Sequence, residues 1–168
     1  MNKFYLIIFL GIFTYSLSAN SEILKNLQSA FQTTYIFEEA AFDDTSKKVS
    51  YSSGNFSYSN SAYKILVEEP FMETYILTET CLRIIDNEFN QEEFLPTKDI
   101  NNPFLSLLFA NNTETINKII ISNVNNNYII KHLDFENPIE LTLIDNKIYL
   151  IKYIDHLNIM HIINFSES

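Results

Sequence analysis

The stretch FSYSNSAYKILVEEP, residues 56–70, changes its alternation in the middle. Large side chains occupy even positions before residue 60 and odd positions after it: Phe56, Tyr58, Tyr63, Ile65 and Val67. Because a β-strand points successive side chains to opposite faces, one uninterrupted strand would separate these two groups. We therefore predict a bend or bulge at Asn60-Ser61-Ala62 that resets the alternation. All five side chains would then share the concave face of a curved sheet, and Lys64 would lie on the other face.

The chain from Tyr35 onward is rich in tyrosine, phenylalanine, isoleucine, valine and threonine, and short polar segments interrupt it. This composition is typical of β-strands. The predicted strands cover residues 35–42, 49–59, 63–69, 72–77, 81–86, 89–95, 117–123, 127–133, 139–144, 147–154 and 159–165. Connections as short as Asn125-Asn126 and Asp145-Asn146 favour antiparallel neighbours over βαβ units.

Two segments depart from the strand pattern. SEILKNLQSAFQT, residues 21–33, places Leu24, Leu27 and Phe31 on one helical stripe. NNPFLSLLFANN, residues 101–112, contains Pro103, which suits the first turn of a helix, and is apolar on nearly all sides. The predicted fold class is mainly β, with one long curved antiparallel sheet and these two helical segments.

The N-terminal residues MNKFYLIIFLGIFTYSLSAN have the layout of a secretory signal peptide. A positive charge at Lys3 is followed by an apolar run at residues 4–13 and by small residues at 16–19. The apolar run is short for a bilayer span, which favours a cleaved signal over an uncleaved anchor. We expect cleavage after residue 18, or after residue 19, and a single domain over residues 19–168 that is exported and soluble in the periplasm.

The charge and the cysteine content exclude several classes of partner and bond. The net charge is −10, or −11 once Lys3 is removed, so nucleic acid is a poor candidate partner. Cys81 is the only cysteine, so no internal disulfide can form, and the apolar run is not followed by a cysteine for lipid attachment. We expect a monomer that is stabilised by its core.

The sequence contains no constellation typical of an enzyme. His156 and His161 are five residues apart and would point to opposite faces of a strand, so a metal site is not predicted. Ser166 has no nucleophile elbow around it, and Cys81 has no CxxC partner or adjacent base. Adjacent acidic pairs such as Glu92-Glu93 would face opposite ways in a strand. We expect no enzymatic activity and no cofactor.

Several residues, in their order and spacing over residues 31–165, resemble one family. They are Phe31-Gln32, Gly54, Phe56, Tyr58, Tyr63, Ile65, Pro70, Leu82, Ile84, Asp86, Phe89, Gln91, Pro103-Phe104, Leu105, Leu107, Leu108, Asp155, Leu157, Ile163 and Phe165. This series resembles the LolA-type periplasmic carriers of outer-membrane lipoproteins. The resemblance implies an incomplete, strongly curved antiparallel barrel whose open side is covered by short helices, with an apolar cavity between them.

The chain departs from the family pattern at three points. Asn60 stands where the family often has the arginine of an Arg-Pro step, which is thought to latch the lid by hydrogen bonding to its backbone. Thr78-Glu79 replaces a usual Asp-Gly turn, and Asn158 replaces a usual glycine, although asparagine tolerates the left-handed backbone region. Because Asn60 is shorter and uncharged, we expect a lid held mainly by apolar packing.

The resemblance also implies a function and a set of site residues. The protein would shield the acyl chains of lipoproteins and move them from the inner to the outer membrane. Its partners would be acylated lipoproteins, an inner-membrane lipoprotein-releasing transporter and, where one exists, an outer-membrane acceptor. The alternative is a lipid- or glycolipid-binding or sensing module on the same scaffold that transfers nothing. The expected lipid-binding cavity consists of Phe56, Tyr58, Tyr63, Ile65, Val67, Leu82 and Ile84, and the expected lid residues are Leu24, Leu27, Phe31, Leu105 and Leu108.

Overall fold

The computed structural model describes residues 21–100, 102–110 and 113–167. The predicted signal peptide, residues 1–18, lies outside them. The helices are α1 at residues 21–30, α2 (Pro103–Leu108) and α3 (Thr113–Asn117), with a 3₁₀ turn at Thr97–Asp99. The strands are β1 (Tyr35–Asp43), β2 (Lys48–Ser59), β3 (Ala62–Glu69), β4 (Glu73–Leu77), β5 (Cys81–Asp86), β6 (Gln91–Pro96), β7 (Ile119–Val124), β8 (Asn127–His132), β9 (Ile139–Ile144), β10 (Lys147–Ile154) and β11 (Ile159–Glu167).

All eleven strands form one sheet in the order β6-β5-β4-β3-β2-β1-β11-β10-β9-β8-β7. Every neighbouring pair is antiparallel, and the first and last strands of the sequence meet at the centre, where β1 pairs with β11. The two ends of the order, β6 and β7, are not joined to each other, so the sheet stays open. This confirms the predicted class: a mainly β chain with an incomplete, curved antiparallel barrel and a few short helices.

The quoted stretch reverses direction at residues 60–61, so the predicted bend or bulge is wrong. Ser59 pairs with Ala62 across a two-residue hairpin, and both turn residues, Asn60 and Ser61, have left-handed backbone, with φ of 51° and 60°. Such a turn matches the twist of the two strands that it joins. The shared face is nevertheless confirmed, because Tyr58 lies opposite Tyr63 and opposite residues of a hairpin project from the same face.

The same kind of turn closes two more hairpins. Asn125 and Asn126, between β7 and β8, and Asp145 and Asn146, between β9 and β10, all have positive φ values. Asparagine and aspartate tolerate this conformation better than other residues with a side chain, which is why the chain needs no glycine there. Asn158 also has a φ of 63°, as its position in place of a family glycine suggests.

Gly54 is required by a close approach between strands and not by its φ angle. The register of β2 against β3 shifts between Ser53 and Gly54, where Glu68 has no opposite residue. A Cβ atom built on Gly54 would lie 1.8 Å from the backbone oxygen of Leu66. No side chain fits at that distance, so glycine is what lets the two strands pack together at this irregularity.

The helix α3 was not predicted from the sequence. Its five residues, TETIN, contain one apolar side chain and therefore no periodic stripe. A helix this short is not stable by itself, so its formation depends on the packing around it, where Ile116 contacts the core. The strands agree with the predicted segments to within about two residues, which is the usual uncertainty at element ends, whereas α1 and α2 end three and four residues before the predicted helical segments.

The core lies between the concave face of the sheet and the helices. It is a single cluster in which side chains of α1 and α2 pack with those of the sheet. Its most completely buried large side chains are Leu24, Leu27, Phe31, Tyr35, Leu107, Ile139, Leu141 and Ile151. Tyr35 also donates a hydrogen bond from its hydroxyl to the backbone oxygen of Ala30 at 2.8 Å, which joins β1 to the end of α1.

Candidate functional site

A cavity of about 810 Å³ opens between the concave face and the segment that leads into α2. Strands β1 to β5, β10 and β11 form its wall, and Ile100, Asn102 and Phe104 close it on the helical side. Its apolar lining consists mainly of Phe37, Phe56, Ile65, Val67, Leu77, Leu82, Phe104, Ile163 and Phe165. The volume is in the upper part of the range of about 300–1,000 Å³ that small-molecule sites occupy, so the cavity can hold a sizeable apolar ligand.

Four of the seven predicted cavity residues line this space: Phe56, Ile65, Val67 and Leu82. Tyr58 and Tyr63 lie on the same face but border a second pocket of about 420 Å³, beside Phe109. Burial and the electrostatic effect of the neighbouring Tyr58 raise the pKa of Tyr63 to about 12, so the Tyr63 hydroxyl stays protonated. Ile84 lies opposite Tyr75 on the concave face, beyond the residues that line the cavity.

Most of the predicted lid side chains pack inside the core. Leu24, Leu27, Phe31 and Leu108 are buried in the cluster that joins the helices to the sheet. The Phe31 ring meets Phe104 edge-on at a centroid distance of 5.2 Å. Phe104 is the α2 side chain that faces the cavity, so α1 supports the lid from behind while α2 contributes the surface. The side chain of Leu105 lies outside what the structure describes.

Among the described contacts, Gln28 on α1 donates hydrogen bonds to α2 and to the segment after it. Its Nε2 donates to the backbone oxygens of Leu107 at 3.0 Å and Ala110 at 3.2 Å. The last carbonyls of a helix have no partner within the helix, so Gln28 satisfies acceptors that would otherwise be buried unpaired. The prediction of a lid held mainly by apolar packing did not include this contact. Asn60, the position that matches the family latch, lines the second pocket, as does Gln28.

A signal for Gln28 is present in the sequence. It follows Leu24 by four residues and precedes Phe31 by three, so it lies within the apolar stripe of α1. A polar side chain on a buried stripe requires a partner. The sequence could therefore indicate that Gln28 has a buried contact, but not that the partner is α2.

A charged cluster interrupts the apolar wall where β1 pairs with β11. His161 Nδ1 lies 2.7 Å from Glu39 Oε1, and its Nε2 lies 3.4 Å from Asp155 Oδ2. Ser52 donates a hydrogen bond to the other oxygen of Glu39 at 2.6 Å. Asp155 is fixed in its turn, because it accepts from the backbone N–H groups of Leu157 and Ile159. The histidine is therefore enclosed by two oriented carboxylates.

This arrangement favours the charged forms of all three groups. Burial lowers the pKa of His161, but the hydrogen bond with Glu39 and the charges of Glu39 and Asp155 outweigh it and raise the pKa above the ordinary value. Burial raises the pKa of Glu39, but the bonds from His161 and Ser52 outweigh it and lower the pKa. The cluster therefore favours an imidazolium at His161, which would donate from Nδ1 to Glu39.

A column of rings connects this cluster to the lid. Tyr153 stacks on His161 with a centroid distance of 4.6 Å and an interplanar angle of 7°. On the helical side, Phe104 lies parallel to Tyr153 at 6.4 Å. Burial, together with the charges of Glu39 and Asp155, raises the pKa of Tyr153, so its ring stays neutral. The lid side chain therefore rests on a ring that the charged cluster holds in place.

The cavity is polar at one end and apolar at the other. The concave side chains of β1, read from the helical end, are Tyr35, Phe37, Glu39, Ala41 and Asp43. On β11 the gradient is less regular, because Phe165 lies opposite Phe37 and His161 lies opposite Ala41, but Ile163 and Ile159 lie opposite Glu39 and Asp43. An amphiphile with its apolar part beneath the helices would place its polar part near Glu39.

The remaining chemical candidates lie apart from the cavity. Cys81 has a free, half-buried thiol on β5, and His156 is exposed in the turn after β10. His132 is buried at the end of β8, where its Nδ1 accepts from the Asp134 N–H at 3.2 Å, and burial lowers its pKa. Within residues 21–100, 102–110 and 113–167, no three His, Cys, Asp or Glu side chains are grouped as a metal site would require. Among the same residues, no helix has the length and hydropathy to cross a bilayer.

Comparison with known proteins gives matches at the level of structure. No protein-family model matches the chain, and no curated protein matches it. A chain of the Pseudomonas aeruginosa MucA/MucB complex superimposes with a TM-score of 0.50 and 11% identity, over 89% of this chain and 56% of that one. This chain therefore spans little more than half the length of that relative, and the likeness at this identity shows a shared fold.

Two further solved structures superimpose over most of their own length. A LolA superfamily protein from Nitrosomonas europaea gives a TM-score of 0.45 with 9% identity, over 88% of this chain and 91% of that one. A DUF1329 family protein from Desulfovibrio piger gives 0.47 with 8% identity, over 90% of this chain and 91% of that one.

Proposed function

We propose that this chain is a periplasmic carrier that shields the acyl chains of lipoproteins and moves them from the inner to the outer membrane. It would load from an inner-membrane lipoprotein-releasing transporter and unload to the outer membrane, through an acceptor where one exists. It would act as a monomer, without catalysis and without a cofactor. The resemblance over residues 31–165 and the fold shared with a chain of the MucA/MucB complex support this proposal.

The observation that carries the proposal is the large cavity, apolar over most of its wall, between the sheet and α2. Leaving acyl chains in water costs about 0.8 kcal/mol per methylene, so a lipid that crosses an aqueous compartment needs cover. Phenylalanine, isoleucine and leucine side chains provide that cover without directional bonds. Binding of the acyl chains would therefore depend on buried apolar area alone, which allows one site to accept different acyl chains.

A carrier must also release what it holds, which requires the lid to open. Phe104 closes the helical side of the cavity, and α2 is attached to α1 by the hydrogen bonds of Gln28. Each such bond contributes only about 0.5–1.5 kcal/mol, but opening would also expose the buried side chains of Leu107 and Leu108, so the closed lid is the favoured form. The closed and open lids would exchange, and an acylated ligand would shift that balance by its contacts with Phe104.

The test is release of lipoproteins from inner-membrane vesicles by the purified protein. We expect a stoichiometric complex in the supernatant, and mass spectrometry of the recovered protein should find acyl chains. Val67→Trp, which projects a bulky ring into the cavity, should weaken release, whereas Lys64→Trp on the opposite face of the same strand should not.

Each result of this experiment decides between the proposal and its alternatives. Acyl chains on the protein without release of several lipoproteins would favour a lipid-binding module that does not transfer. Neither lipid nor release, or equal behaviour of the two tryptophan variants, would contradict a role for the cavity.

A further inference from the structure

Polar residues of the cavity form two groups at a similar level of the concave face, separated by Val67 of β3, and we call them together the band. The band consists of Glu39 on β1, Ser52 on β2, Glu73 and Tyr75 on β4, and His161 on β11, and all five line the cavity. Ser52 and His161 bind the two oxygens of Glu39, and Tyr75 donates from its hydroxyl to Glu73. The charges of Glu73 and Glu39, together with burial, raise the pKa of Tyr75, so its hydroxyl remains a donor to Glu73.

The band offers a ligand far more acceptors than donors. An ionised carboxylate has about four acceptor sites. Among the described contacts, Glu39 uses one site on each oxygen and Glu73 uses one in all. The donors of Ser52, Tyr75 and the Nδ1 of His161 already point at these carboxylates. A ligand at the band therefore meets unused carboxylate oxygens beside apolar walls.

The position of the band fits the junction between the apolar and polar parts of an amphiphile. Phe56, beneath the helices, and Ser52, in the band, are four residues apart on β2, which is about 13 Å along a strand. Phe37 and Val67, both opposite Gly54, line the wall between them, so acyl chains would occupy that interval. The first polar group of the ligand would then reach Glu39 and Glu73.

We infer that the band is a specificity site that accepts acyl chains joined to a neutral or cationic head with hydrogen-bond donors, such as hydroxyl, amide or ammonium groups, and that rejects a carboxylate or phosphate at that position. This inference rests on the proposed function, because it concerns the ligand of the same cavity. The carboxylate oxygens lose their water when a ligand covers them. A head group with hydrogen-bond donors replaces that water. An anionic head would be desolvated beside Glu73, which has no described ion pair, and beside Glu39, whose charge His161 only offsets. Lys48, the other cation of the cavity wall, lies opposite Asp43 and four residues beyond Ser52 along β2, so an anion at the band would find few donors.

The experiment compares amphiphiles that share one acyl chain and differ in their head. A monoacylglycerol, a long-chain primary amine, a fatty acid and a lysophosphatidic acid are titrated against a fluorescent apolar probe bound to the purified protein. We expect the first two to displace the probe about tenfold more tightly than the last two, since a charge-assisted hydrogen bond is worth that factor or more.

Variants of the carboxylates connect the preference to the band. Glu39→Gln with Glu73→Gln should reduce the preference to less than about threefold, because the amide oxygens no longer repel an anion. Glu38→Gln with Glu140→Gln removes the same charge from the opposite face and should keep the full preference. If the first pair does not fold, Glu73→Gln alone should still halve the ratio, because Glu73 is held by fewer partners.

The outcomes separate the inference from the function on which it rests. Equal displacement by all four amphiphiles, or a preference that the Glu39 and Glu73 variants leave unchanged, would overturn the specificity site while leaving a lipid-binding cavity. Failure of the probe and of every amphiphile to bind would overturn the proposed function and the inference together. Tighter binding of the fatty acid than of the monoacylglycerol would reverse the assignment.

Discussion

The two halves of the concave face carry the same alternating pattern but differ in what covers them. On β8 to β10, Ile130, Leu141 and Ile151 are 2%, 1% and 0% exposed and belong to one core cluster with the side chains of α1. On β3 to β5, Ile65 and Leu82 occupy equivalent positions but are only partly buried, because the cavity lies in front of them. Alternation decides which face a side chain joins, and the placement of three short helices decides whether that face becomes core or binding wall.

Truncating one isoleucine in each half should give the largest difference in stability between the two halves. Ile151→Ala should lower the free energy of unfolding by about 2–5 kcal/mol, because it leaves a void among fully packed neighbours. Ile65→Ala should lower it by only about 1 kcal/mol, since its side chain already borders empty space. Urea unfolding of the two variants measures the difference. Equal losses would mean that the cavity is filled or closed in solution.

Removing the contact between α1 and α2 should have the next largest effect. Gln28→Ala leaves the backbone oxygens of Leu107 and Ala110 without this donor, which should cost about 1–3 kcal/mol and shift the lid towards its open form. Faster hydrogen exchange over residues 103–110, together with faster loss of a bound apolar probe, would report this opening.

The control for this variant is the next glutamine of the chain. Gln32→Ala, an exposed residue just after α1, should change neither measurement. If Gln28→Ala left hydrogen exchange in α2 at the wild-type rate, packing alone would hold the lid, as we expected from Asn60.

Titration of the Glu39–His161 pair, where β1 joins β11, should give a smaller, pH-dependent change in the free energy of unfolding. The raised pKa of His161 stabilises the fold below the unfolded value of 6.5, and this stability is lost as the pH rises through the folded pKa. The lowered pKa of Glu39 stabilises the fold above 4.5, and this stability is lost as the pH falls through its folded pKa. The pair therefore contributes most between these two values, where both groups are charged.

Glu39→Gln should reduce the losses of stability below pH 4.5 and above pH 6.5 without abolishing the dependence on His161, because Asp155 still faces the histidine. Urea unfolding between about pH 4 and 8 measures the profile. Glu38→Gln, on the same strand but exposed on the other face, should keep the wild-type shape. A Glu39→Gln profile parallel to the wild type would show that the pair is not coupled to folding.

A substitution in the β2–β3 hairpin of the cavity half should have the smallest effect, and this effect should be a gain in stability. Ser61 has left-handed backbone, whereas the equivalent turns of the other half have Asn126 and Asn146 at this position. Ser61→Gly should therefore raise the free energy of unfolding by about 0.5–1 kcal/mol. Ser59→Gly, in the extended strand before the turn, should lower it by a similar amount. Thermal unfolding distinguishes the two, and a loss of stability in Ser61→Gly would argue against this turn.

Much of the sheet could be predicted because its information is local. Strand bounds follow from alternation and from turn residues such as Asn125-Asn126, so they agreed closely with the structure. Residues 60–61 were misjudged because Asn-Ser is a weak hairpin signal, and a bulge would place the side chains on the same face. The helix α3 was missed because its formation depends on tertiary packing and not on a periodic stripe.

The sequence by itself determined the antiparallel sheet, the two apolar helical segments and the shared face of Phe56, Tyr63 and Ile65, because each depends on residues close in the chain. Only the tertiary structure decided which half of that face is left uncovered, since this depends on where the helices dock. It also decided two contacts between residues far apart in the chain. Gln28 and Leu107 are separated by 79 residues, and Glu39 and His161 by 122. Charge and polarity mark such side chains as needing partners, but the pairing of β1 with β11 selects His161 for Glu39, and the docking of α1 against α2 selects Leu107 for Gln28.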